Sequence, residues 1–221
     1  MELVRVDTQR AYELIREKIT TLELEPGAPI DGGALAAELN LGLTPIREAL
    51  KLLVHDHLVD APPRGLYVAE VKITDLKQIS EIRLLLEPFC ARKAAAHAGL
   101  DDIVVLEALC QTQSQISPDQ PTELFDLDHK FHQAIARAAQ NKYLAQILED
   151  FFGLSQRLWF MALPHLEFLP AAVSIHVELV EAIKNQDGDQ AEAIMHDHIQ
   201  EFYEKVFKIL TERSELVDRD Q

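Results

Sequence analysis

Asp128 and His132 stand four residues apart in the segment DLDHKFHQAIARAAQN, whose apolar positions recur with helical spacing. Four residues of helix put two side chains on one face, offset by about 40° around the axis. His176 and His198 lie in two later helical stretches that a bundle can bring to the same point. A carboxylate with imidazoles suits a borderline divalent ion such as zinc, nickel or manganese. The neighbour His129 falls about 100° round from Asp128 and faces elsewhere. His55, His57, His97 and His165 have no comparable spacing.

The elements that must carry these groups fall into two stretches. Residues 8–22 place Ala11, Leu14, Ile15, Ile19 and Leu22 at helical intervals, and Pro26-Gly27 ends the unit. A short second helix spans 32–39, and Asn40 to Leu43 is a tight connection. A third helix opens at Thr44-Pro45, read as an N-cap followed by proline at the first helical position. Leu58-Val59 and Leu66-Tyr67-Val68 are short strands around the turn Pro62-Pro63-Arg64-Gly65. Three helices and a two-stranded hairpin give the order of a winged helix-turn-helix, expected over 1–73. From 74 to 221 the pattern is helical throughout. Helices are expected at 74–97 with a kink at Pro88, and at 101–116, 122–139, 142–163, 168–185 and 188–213, with a fraying tail from Ser214. The fold class is therefore mainly α: a winged head followed by an all-helical bundle.

Charge and composition bound the partners. The chain has 221 residues, 48% of them hydrophobic, enough for a proper core, and a net charge of −16. Residues 1–75 hold 8 Lys and Arg against 13 Asp and Glu, a net of −5, and the remainder carries −11. Any DNA contact must come from a local basic face, since the whole molecule repels phosphate. The only two cysteines, Cys90 and Cys110, sit in apolar helical patterns and read as small buried hydrophobes, in keeping with a reducing cytoplasm. No signal-peptide pattern and no membrane-spanning apolar run is present.

The segments LTPIREALKLLVHDHLVDAPPRGLYV, EIRLLLEP, DLDHKFHQAIARAAQN and IHVELVEAIKNQDGDQAEAIMHDH resemble, in order and spacing, the GntR family of bacterial regulators. The similarity is to the FadR-like branch with an all-helical FCD effector domain, and it covers about residues 8 to 210. It implies a metal held by Asp128, His132, His176 and His198, with His198 preferred to His196 because it occupies the family's position. Arg83 resembles an FCD arginine that points into the effector cavity, where its planar fork holds a carboxylate; the alternative is a salt bridge to Glu87, four residues on. Asn141 and Arg157 are further effector candidates, and Phe151, Phe152, Trp159 and Phe160 read as core or pocket wall.

For DNA, Arg47 lies one turn into the recognition helix, with Lys51 a turn beyond, Thr44 at its start, and Arg64 and the Gly65 backbone on the wing. Glu48 reads as a stabilising partner. Two departures from the family pattern remove donors: Gly42-Leu43 stands where Ser-Arg is usual, and Gly32-Gly33 where an arginine is common. The reading is a cytoplasmic, homodimeric, non-enzymatic transcription regulator. Its double-stranded DNA operator is an inverted repeat, and its effector is a small organic acid bound with the metal. The alternatives are an interaction protein with a degenerate DNA-binding head and, behind it, a metal-dependent enzyme. No nucleophile–base pair or HExxH-type base accompanies the ligands to favour the latter.

Overall fold

The computed structural model describes residues 2–70, 72–117, 119–162 and 174–219. The chain forms two compact units, Met1–Lys72 with Gly153–Phe160, and Ile73–Phe152 with Met161–Gln221.

In the first unit, α1 spans Glu2–Thr20, α2 Gly32–Glu38 and α3 Leu43–His55. Helix α1 begins six residues before the stretch 8–22 expected from the sequence. Strands β1 (Val59–Asp60) and β2 (Tyr67–Val68) pair antiparallel, Val59 opposite Val68 and Asp60 opposite Tyr67. Their apolar faces close one core with Ala11, Ile15 and Ile19 of α1, Leu35 of α2, and Ile46, Ala49, Leu50 and Leu53 of α3. Asp31 caps α2 by accepting from Gly33 N and Ala34 N, and Asn40 at φ +52° ends the unit's second helix in the left-handed region. Gly65 on the wing turn has φ +138°, a conformation that a side chain would strain.

The cap of α3 lies two residues before the Thr44 expected from the sequence. The N-cap of α3 is Gly42, extended at φ −69° and ψ 151°, and its carbonyl accepts from Ile46 N at 3.3 Å. Thr44 and Pro45 lie inside the first turn instead. Proline is tolerated there because the first-turn N–H groups have no helical partner to lose.

In the second unit, α4 spans Ile73–His97, α5 Leu100–Gln115, α6 Pro121–Ala138, α8 His176–Lys184 and α9 Gly188–Arg219; α7, Lys142–Ala162, belongs to it except for Gly153–Phe160, which fall in the first unit. Helix α4 passes through Pro88 without ending. Helix α9 continues to Arg219, past the expected start of fraying, since no Gly or Pro interrupts it after Gly188. The break expected at Pro164 to Pro170, the beginning of the helix expected from 168, Pro118 and His165 lie outside the described residues. Phe125, Phe131 and Ile135 of α6, Leu179 and Ile183 of α8, and Met195, Ile199 and Val206 of α9 are buried. Cys90 and Cys110 are free thiols, pushed up to about 12 and about 11 by burial first of all. Among the described residues, no helix is long and apolar enough to cross a membrane.

Candidate metal centre

Asp128, His132, His176 and His198 come together in the second unit, all buried, each offering a donor atom within 4.8 Å of the others. Helix α6 supplies Asp128 and His132 from one face, as their spacing requires. His176 is the first residue of α8, held by stacking on the Phe131 ring with centroids 3.9 Å apart. His198 points inward from α9 because it shares a face with the buried Ala191, Met195 and Phe202. His196, two residues earlier, is exposed beside Asp197.

The spacing between donors fits a metal. His132 Nε2 lies 3.2 Å from His198 Nε2, and Asp128 Oδ1 lies 3.4 Å from His176 Nε2 and 3.7 Å from His132 Nε2. Bonds of about 2.1 Å to a common ion set neighbouring donors roughly 3.0–3.5 Å apart. The ring nitrogens facing away are committed. His132 Nδ1 donates to Glu87 Oε2 at 2.5 Å, and His176 Nδ1 donates to Gln113 Oε1 at 3.0 Å. Neither acceptor has a proton to give, so each ring in its neutral form turns a bare Nε2 lone pair to the cluster. His176 Nε2 is buried with no hydrogen-bond partner. An orphaned acceptor of this kind costs about 1–3 kcal/mol unless something electron-poor meets it. The donor set therefore fits a divalent cation, with Glu87 and Gln113 orienting two of its imidazoles.

Electrostatics favour the neutral, ligating forms of His176 and His198. Burial first, then the other two histidines, holds His176 well below the ordinary imidazole value. Burial and His132 bring His198 to about 3. Burial also raises the Asp128 carboxyl, against the pull of His132 and Arg83. Glu87 goes the other way: burial pushes it up, but Arg83 and His132 together outweigh that and keep it ionised.

Arg83 is buried and closed by Glu87 through its Nε, the salt bridge named as the alternative from the sequence. It also donates from Nη1 to Tyr203 Oη at 3.1 Å. Arg83, Glu87, His132, His129, Glu149 and Phe152 border a small cavity beside the cluster. His129 stacks on Phe152 and sits 3.4 Å from Glu149, so it faces this cavity and not the ligand point. Asn141 accepts from Tyr143 N and Leu144 N at the start of α7, and it borders a separate open groove with Arg137 and Gln146. Arg157 is buried in the first unit and donates to the Ala69 carbonyl at 2.7 Å. Sequence reasoning missed Gln113, Tyr203 and Glu149, which carry no motif, and saw Glu87 only as a partner for Arg83. The four-residue spacing of Arg83 and Glu87 was the signal that a buried pair stood there.

On the head, Thr44, Arg47, Lys51, Arg64 and Gly65 are all exposed. Arg47 meets no hydrogen-bond or ion-pair partner among the described residues. Lys51 pairs with Glu48 at 2.7 Å, and the Arg64 guanidinium lies 4.8 Å from the Tyr67 ring centre.

Both parts of the chain match known families. Residues 78–201 match the FCD domain, and residues 7–68 match the gntR family of bacterial regulatory proteins. The HTH-type transcriptional repressor RspR of Escherichia coli (strain K12) is 28% identical over 94% of this chain and 92% of its own length. The gluconate operon transcriptional repressor of Bacillus subtilis (strain 168) is 26% identical over 89% and 83%. The solved structure of E. coli McbR/YncC shares the fold with a TM-score of 0.79, at 20% identity, over 91% of this chain and 97% of its own. Both repressors regulate transcription, and the reading as an interaction protein with a lost head is not favoured. The protein is a DNA-binding transcription regulator with an effector-binding domain, and the chain belongs to the GntR family of bacterial regulatory proteins, with an FCD domain behind its helix-turn-helix head.

Proposed function

We propose that this regulator holds one divalent metal through Asp128, His132, His176 and His198 and detects a small organic acid beside it. The observation that carries the proposal is the buried His176 Nε2, without a hydrogen-bond partner and facing three further donors, with its other nitrogen committed to Gln113. When bound, the ion supplies a Lewis-acidic anchor for oxygen atoms. The protein's own groups do the rest. Glu87 fixes the His132 ring, and Arg83 fixes Glu87 while lining the cavity where the acid would lie. With one carboxylate among the ligands, a divalent ion leaves net positive charge, which favours an anion over a cation as effector. Residues 74–221 form the effector and dimerisation part, and 1–73 the reader. Thr44, Arg47, Lys51, Arg64 and Gly65 meet DNA, two protomers spanning an inverted repeat in the cytoplasm. The effector acts by binding one arrangement of the dimer better than another.

The test is elemental analysis of the purified protein beside its His132→Ala/His176→Ala variant. Stoichiometric zinc, nickel or manganese in the parent and none in the variant, with helix content retained by circular dichroism, supports the ligand set. Equal metal in both refutes it.

A further inference from the structure

Helix α3 opens on a hydrophobic side chain that its own domain leaves in the open. Leu43 is its first residue and is 42% exposed. The buried face of the helix is Pro45, Ile46, Ala49, Leu50 and Leu53. Leu43 stands at the margin of that face, about 40° round from Arg47 and one turn before it. The start of α2 lies against it but does not cover it. A side chain on Gly32 would begin 4.0 Å from Leu43 Cδ1, and glycine has none. Gly42, on the other side, contributes no side chain either. The leucine is thus uncovered, next to an arginine with no partner among the described residues.

We propose that Leu43 reads the 5-methyl group of a thymine in the major groove, at the base step beside the one Arg47 reads. The inference rests on α3 being the recognition helix. The first residues of such a helix are those that reach base edges. Of the four bases, only thymine offers an apolar group on its major-groove edge; the others present donors and acceptors that a leucine would strip of water without replacing. A guanidinium at this position would reward guanine instead, so an exposed leucine changes the sequence read as well as the number of polar contacts. Leu52, the other exposed leucine of the helix at 46%, lies about half a turn round from Leu43 and is not part of this contact.

The experiment uses the full-length protein and a duplex it selects from a random-sequence pool. Each thymine of one half-site is replaced in turn by deoxyuridine, which removes only the methyl. One position should bind about fourfold more weakly, the loss expected for one buried methyl. Leu43→Ala, checked for helix content, should bind thymine and uracil alike there, and Leu43→Met should keep the preference. Uracil tolerated at every position, or a preference that survives in Leu43→Ala, overturns the assignment of Leu43. Arg47→Ala separates the two levels. If it loses selectivity while uracil is tolerated throughout, α3 is the reader and Leu43 alone is misassigned. If Arg47→Ala binds selected and scrambled duplexes as the parent does, or no duplex is selected at all, the recognition-helix reading fails and this inference fails with it.

Discussion

Glu87→Gln isolates the link between the buried ion pair and the metal ligands. The Glu87 carboxylate accepts from Arg83 Nε on one oxygen and from His132 Nδ1 on the other, and its side chain is about as buried as theirs. A glutamine keeps the shape but offers one oxygen and one NH₂ to two N–H donors. One donor must then face another, and the Arg83 charge loses its partner in a dry site. Breaking a buried pair in this way costs about 3–5 kcal/mol. For a protein of this size that lowers the melting temperature by roughly 6–20 °C. Losing the group that orients a ligating histidine typically weakens metal affinity about 10- to 100-fold. The two effects can be separated. In Arg83→Met/Glu87→Gln no buried charge is left unpaired, so most of the stability should return. The His132 Nδ1 still faces an amide in place of a carboxylate, so metal affinity should stay low. Thermal melts of the metal-free proteins and calorimetric zinc titrations measure both. Parent-like zinc affinity in Glu87→Gln, or full recovery of affinity in the double variant, would refute the claim that Glu87 positions His132.

Other expectations follow from the same geometry. The metal-free protein should lose stability as pH falls below the ordinary imidazole value of 6.5, because His176 and His198 resist protonation when folded and accept it when unfolded. The loss should continue toward about 3, with Glu87 adding to it below about 4.5; the raised Asp128 carboxyl works in the opposite direction. Denaturant melts from pH 7 to 4 that show flat stability would contradict this. Arg83→Lys should weaken binding of an organic acid effector while metal content holds, since a point charge cannot replace the planar fork; unchanged affinity in calorimetry removes Arg83 from the acid's site. Arg47→Ala should cost about 1–3 kcal/mol on a selected operator and flatten its sequence preference, whereas Lys51→Ala should weaken all duplexes alike. Anisotropy titrations at fixed salt distinguish these patterns.

Much of the architecture was legible because periodicity reports burial. The stripe Ala11, Ile15, Ile19 and the i, i+4 pair Asp128 and His132 each project one face from local spacing alone. The start of α1 was not legible, since Leu3, Val4 and Val6 mix with charged residues and spread over nearly half of the helix circumference. Nor was the cap at Gly42: Thr44-Pro45 satisfies the usual helix-start pattern, but the structure begins the turn two residues sooner, where proline loses nothing. At the metal centre, the ligands could be named and their supports could not. Gln113 reaches His176 from another helix, Tyr203 reaches Arg83 across 120 residues, and no spacing rule encodes either meeting. His129 shows the limit of angular reasoning. It does face away from the ligand point, yet the neighbouring helix α7 turns that other direction into a cavity wall.

X-ray absorption at the metal edge of the purified regulator tests the central claim most directly. A shell of nitrogen and oxygen donors at about 2.0–2.2 Å is expected, with the outer scattering of three imidazoles, lost in His132→Ala/His176→Ala. A shell containing sulfur at about 2.3 Å, or one without imidazole scattering, would contradict it.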